Sequence, residues 1–204
     1  MTEFSETVSS RCDKIIDKHN LLSHTFYRRW TDGTLPVPAL KDYAGEYGHF
    51  IRSIRKGWET LGKSDIAKAE GHHAQIWENT FAQSLGTTVS APRVTETVAL
   101  IATSDELFAE PITALGALYA FEAQQPIVSQ AKLKGLRENY QQLPEQCGEY
   151  FRLHCEDYGE TEFLTEALNA LNADEREIAV AACERMGLAL YDALTGIEAP
   201  YLEQ

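Results

Sequence analysis

The sequence predicts an all-α fold, one domain built from a bundle of about seven helices. Three observations predict it. Apolar residues recur at spacings of three and four along nearly the whole chain. Gly and Pro gather at the few points that punctuate those runs, and strand signals are absent apart from the short run TTVS. With 204 residues and no linker, repeat or low-complexity segment, residues 1–204 read as a single helical domain.

The first helix is expected over 5–29, where Val8, Cys12, Ile15, Ile16, His19, Leu22 and Phe26 form one apolar stripe. TDGTLPVPAL then supplies a turn through Gly33, Pro36 and Pro38. A second helix is expected from Pro38 to Leu61, carrying Leu40, Tyr43, Tyr47, Phe50, Ile51 and Trp58, with Gly62 as its stop. The third runs from Ser64, as N-cap, to Leu85, with Gly86 after it. Residues 92–103 form a shorter helix. A long helix follows from Glu110 to Tyr140, with Pro111 in its first turn and a kink expected at Pro126. Residues 144–171 form another helix. The last begins at Asn172 or Asp174, with Glu175 and Glu177 where the helix dipole favours acid.

The formal charge is −13, from 31 acidic and 18 basic residues, which argues against nucleic acid as a partner. A basic cluster of Arg28, Arg29, Arg52, Arg55 and Lys56 reads as a solvated helix face. The cysteines Cys12, Cys147, Cys155 and Cys183 form no CxxC pair, so a zinc knuckle is not expected. MTEFSETVSS lacks the basic and apolar regions of a signal peptide, and no apolar run reaches the roughly 18 residues of a membrane span. A cytoplasmic protein with free thiols, and no membrane partner, is the expectation.

The informative polar residues lie inside the apolar runs. EYGH places Glu46 and His49 three apart on one helix face, and EGHH does the same for Glu70 and His73. Glu122 sits in the apolar run ITALGALYAFEAQQP, where a carboxylate needs a partner: a basic side chain or a metal. His154 stands among Tyr150, Phe151 and Leu153. Two Glu-x-x-His pairs with a further Glu and His on four helices is a donor set that di-iron and di-manganese carboxylate proteins assemble within bundles. Taken singly, each pair reads more readily as an exposed helix face than as metal ligands, and His72 is expected to face water.

These same stretches carry a family resemblance. LLSHTFYRRWTDGTLPVPALKDYAGEYGHFI, GHHAQIWENTFAQSLG, ALYAFEAQQPIVSQAKLKGL and YFRLHCED resemble, in order and spacing, segments of the TenA/PqqC/CADD group, which has the heme-oxygenase-like fold. The resemblance spans about residues 15–165. It implies a dimeric bundle and a non-haem, metal-dependent oxidase that binds two irons, or iron with manganese, and uses dioxygen as co-substrate. It places His73, Glu122 and His154 on metal ligands, and Tyr27 on a tyrosine that some members consume to make para-aminobenzoate. Tyr43 matches a second tyrosine near that site, and Lys132 a lysine.

The departures matter equally. After His154 the group's H-x3-D-x2-H motif calls for Asp and His, and this chain has Tyr158 and Thr161. Ile66 stands where the group's first glutamate belongs, so Glu70 is expected to replace it, with Glu46, His49 or Asp157 completing the ligand set. The expected substrate is a small amino-acid-like or fatty-acid-like molecule, or Tyr27 itself. Two other readings stay open: a metal-free oxidase of the PqqC type, using His49, His73, His154, Tyr43 and Lys132, and a degenerate interaction protein. A thiaminase activity is disfavoured, because the surroundings of Cys147 and Cys155 do not match the TenA pattern.

Overall fold

The computed structural model describes residues 6–156 and 158–202. Ten α-helices follow one another, with no strand among the described residues: α1 Val8–Lys18, α2 Thr25–Thr31, α3 Val37–Thr60, α4 Ser64–Ile76, α5 Thr95–Leu107, α6 Pro111–Glu122, α7 Gln125–Asn139, α8 Glu149–His154, α9 Gly159–Asn169 and α10 Ala173–Glu198. The excess over seven comes from three breaks, and two of them have a cause visible in side-chain hydrogen bonds.

The expected helix over 5–29 is interrupted after Lys18. Asn20 turns its side-chain oxygen onto Leu22 N–H at 2.9 Å, opening a short 3₁₀ turn over Leu21–Ser23, and His24 then caps α2. Side chains that bond nearby backbone donors compete with helix continuation. The long helix expected to kink at Pro126 instead ends at Glu122 and restarts at Gln125. Pro126 lies in the first turn of α7, where its missing N–H leaves nothing unsatisfied. Gln124 stitches the gap: its amide donates to Ala120 C=O at 2.9 Å, and its oxygen accepts Leu21 N–H at 3.0 Å. The helix expected over 144–171 divides into α8 and α9.

One helix start differs in detail from expectation, and another takes one of the two expected caps. Ser64 is the first residue of α4 and not its cap, a position held by Lys63 without a side-chain bond. At α10 the cap is Asn172 and not Asp174. Its side chain accepts the N–H groups of Asp174 and Glu175, while the Glu175 carboxylate accepts Asn172 N–H, the reciprocal arrangement of a capping box. Gly62 ends α3 at φ +71°, a left-handed conformation that a side chain disfavours, although open space surrounds it.

α10 is the spine, packed along α5, α6 and α1. It approaches α6 so closely that a Cβ on Gly116 would overlap the Ala179 carbonyl. α3 packs against α4, α5 and α6, and α7 packs against α2 and α8. Between these layers lies an aromatic core that includes Tyr27, Trp30, Tyr43, Tyr47, Trp77, Phe81, Tyr150 and Phe151, all buried. No helix among the described residues is long and apolar enough to cross a membrane.

Candidate metal centre

α4 sets the first part of the site. Glu70 and His73 are three residues apart, hence on one face, and the His73 Nδ1–H donates to Glu70 Oε1 at 2.7 Å. After Ile76 the helix widens into a π turn over Trp77–Ala82. Such a turn adds a residue and shifts the inward face. Trp77 and Phe81, four residues apart, are both buried in the core, and Trp77 Nε1–H donates to Ala44 C=O at 2.9 Å.

α8 contributes His154, whose ring lies 4.7 Å from that of His73, at 76°. Its Nδ1–H donates to the Tyr150 carbonyl at 2.8 Å, so Nε2 is the nitrogen that could ligate a metal. Glu70, His73 and His154 offer three ligand atoms within 4.8 Å of one another. Two imidazoles and a carboxylate make a donor set suited to non-haem ferrous iron with open positions. Glu70 and His154 are buried and His73 half-buried, so the set is shielded yet reachable.

Glu122, at the end of α6, is buried, and Trp58 Nε1–H donates to its carboxylate at 3.3 Å. Its charge and that of Glu70 both reach Tyr150, whose phenol burial pushes well above the ordinary value, with the two carboxylates adding to the shift. Gln125 Nε2–H donates to the Tyr150 hydroxyl at 3.0 Å.

The remaining expected residues divide. Glu46 stands apart from the cluster: its carboxylate accepts Arg93 N–H and Val94 N–H at 2.9–3.1 Å, where a carboxylate suits the N-terminal end of α5. Tyr158 is 52% exposed, and Thr161 donates its hydroxyl to the Glu122 carbonyl at 3.1 Å. Asp157 lies outside the described residues. His72 is exposed, as expected, and His49 is half-buried on α3.

Tyr27, Tyr43 and Lys132 come together in a second cluster. The two phenol oxygens meet at 2.9 Å, and Lys132 Nζ donates to Tyr43 Oη at 2.8 Å. The amine lies 4.7 Å from the Tyr27 ring centroid and 5.2 Å from that of Phe151. Burial drives its pKa well below the ordinary lysine value, and it drives both phenols above theirs. Burial thus favours the neutral form of all three groups.

Ring contacts link the two clusters. His154 packs on Tyr150 at 4.3 Å between centroids, Tyr150 on Trp77 at 4.9 Å, Trp77 on Tyr43 at 5.6 Å, and Tyr43 on Tyr27 at 6.1 Å. Tyr150 and Trp77 were not singled out from the sequence. The available signal was spacing: Tyr150 is four residues before His154 and Trp77 four after His73, so each shares its histidine's face.

Residues 52–192 match a family described as iron-containing redox enzymes. A 4-aminobenzoate synthase of Nitrosomonas europaea is 29% identical over 180 residues, covering 74% of this chain and 73% of that protein. A heme oxygenase-like domain from Shewanella denitrificans superposes with a TM-score of 0.72 at 20% identity, covering 95% of this chain and 90% of that one. A CADD-like protein from Nostoc punctiforme gives a TM-score of 0.66 at 14% identity, covering 95% and 94%. The fold is the heme-oxygenase-like bundle.

Proposed function

The chain belongs to the family of iron-containing redox enzymes, and from that premise we propose that it is an iron-dependent oxidase that uses dioxygen to oxidise its own Tyr27, a reaction of the 4-aminobenzoate-forming type. The observation that carries this reading is the unbroken run of ring contacts from His154 to Tyr27. The target phenol is buried beside Tyr43 and Lys132, which favours a protein side chain over a diffusing molecule as what is oxidised.

Glu70, His73 and His154 would hold iron, with Glu122 as the further carboxylate. Bound there, iron would supply the electron transfer with dioxygen that side chains alone do not. The protein's own part is positional and acid–base. Glu70 and the Tyr150 carbonyl orient the two imidazoles. Aromatic packing excludes water from the phenol pair. Oxidising a buried phenol requires its proton to leave, since a charged intermediate is poorly solvated there. The hydrogen-bonded Tyr27–Tyr43 pair, with Lys132 Nζ at Tyr43 Oη, is the set of groups through which that proton would leave.

The test is metal analysis of protein expressed with iron and manganese and purified without chelator, beside His73→Ala and His154→Ala. Iron in the wild type and its loss in both variants is the expected result. 4-Aminobenzoate released under dioxygen and a reductant, together with a mass change in the peptide containing Tyr27, would follow. A wild type empty of metal under iron-replete conditions overturns the reading.

A further inference from the structure

α2 has only seven residues, and it carries Tyr27. A helix this short cannot hold itself by propagation and depends on its cap and its packing. The cap is unusual in being an imidazole. His24 is 3% exposed, its Nδ1 accepts Phe26 N–H at 3.0 Å, and its Nε2–H donates to Thr195 Oγ1 at 2.9 Å. One nitrogen accepts and the other donates, so the ring is the neutral tautomer with its proton on Nε2.

Beside it lies a buried carboxylate from α10. Glu198 is 1% exposed and accepts Thr25 Oγ1–H at 2.5 Å and Arg29 Nη1–H at 3.0 Å. Its Oε2 is 3.7 Å from His24 Nδ1. Both of the carboxylate's donors belong to α2, so Glu198 ties that helix to the end of the spine.

We propose that His24 and Glu198 are positioning residues that hold Tyr27 against Tyr43 only while His24 is neutral, which makes the tyrosine cluster pH-gated. A second proton on the ring must go to Nδ1, the atom that accepts Phe26 N–H. That cap bond is then lost, and the new N–H turns to Glu198 Oε2, in competition with Thr25 and Arg29. The groups that face the ring set the direction. Burial and Arg28 of α2 favour the neutral form, Glu198 and Asp192 of α10 oppose them, and burial dominates, so the imidazole titrates below its ordinary value. Tyr191 packs its ring edge-on at 4.5 Å, and Arg29 acts through Glu198. The latch is therefore closed at neutral pH and opens on acidification. Its bearing on oxidation rests on the reading of Tyr27 as the target.

Amide hydrogen exchange across Phe26–Thr31, corrected for the intrinsic pH dependence of exchange, tests the latch at about pH 7.5 and about pH 5.5. Wild type is expected to exchange about fivefold faster at the lower pH, the ordinary worth of an N-cap. His24→Asn keeps a capping oxygen that does not titrate and is expected to show equal protection at both. Glu198→Gln removes the charge that favours the protonated ring and should move the transition to lower pH. A flat wild-type profile, or the same rise in His24→Asn, overturns the latch. Iron content measured on the same samples separates the two claims. A chain without iron sinks the oxidase reading, while the exchange data still decide the latch.

Discussion

The hydroxyl of Tyr27 meets that of Tyr43 at 2.9 Å, deep in the bundle, with both phenols buried. The pair shares one amine, Lys132, which hydrogen-bonds to Tyr43. Among the described residues no carboxylate pairs with that lysine. The cluster joins two phenols and an amine by hydrogen bonds, and a line of aromatic rings runs from it to His154.

Lys132 should make stability depend on pH. Its folded pKa is lowered by burial, so the unfolded chain binds the extra proton between that value and the ordinary lysine value of about 10.4. Stability rises as pH rises through this window and falls as pH drops. Urea midpoints of wild type should climb from neutral pH to about pH 9.5, below the range where the phenols of the unfolded chain ionise. Lys132→Met should flatten that climb while abolishing product. An equal climb in the variant would assign the slope elsewhere.

Tyr27→Phe removes one hydroxyl and keeps the ring. Stability should change by only about 1 kcal/mol, iron content should stay at the wild-type level, and 4-aminobenzoate should vanish. Peptide mass spectrometry after aerobic incubation with a reductant should find residue 27 altered in wild type. An unaltered Tyr27 alongside released product would show that the ring carbon comes from another molecule.

Glu46 and Glu70 should separate cleanly. Glu46→Ala leaves two backbone N–H groups at the start of α5 without their carboxylate and should cost about 2 kcal/mol in urea unfolding, with iron content intact. Glu70→Ala should lose iron. Loss of metal in Glu46→Ala, without unfolding, would return Glu46 to the ligand set.

Gly116 tests the spine. A methyl there meets the Ala179 carbonyl of α10, a backbone atom that moves only if a helix does. Gly116→Ala should destabilise by about 3 kcal/mol or more, seen as a lower thermal midpoint. Gly62→Ala, in open space but at positive φ, should cost about 1 kcal/mol.

Much of this was legible in the residues. Helical class follows from spacing alone, because a stripe at three and four suits no strand. The apolar neighbours of Glu122 show that its carboxylate needs a partner, and it is indeed buried, with Trp58 donating to it. The helix breaks were less legible. Asn20 and Gln124 look ordinary in a helical run, and only their distant or local backbone acceptors and donors show why the chain bends there.

By itself, then, the chain's pattern determined which residues face inward: periodicity is local, and burial of an apolar stripe follows from it. It also determined that Glu70 and His73 share a face, since three residues on one helix fix that geometry. Which inward residues meet was decided only by the tertiary structure. Glu46 and Glu70 both follow the same Glu-x-x-His pattern, yet α5 places two backbone donors over Glu46, while α8 places His154 beside Glu70 and His73. Partners across helices depend on crossing angles and breaks set by the whole packing, and those carry no signal at a spacing of three or four residues.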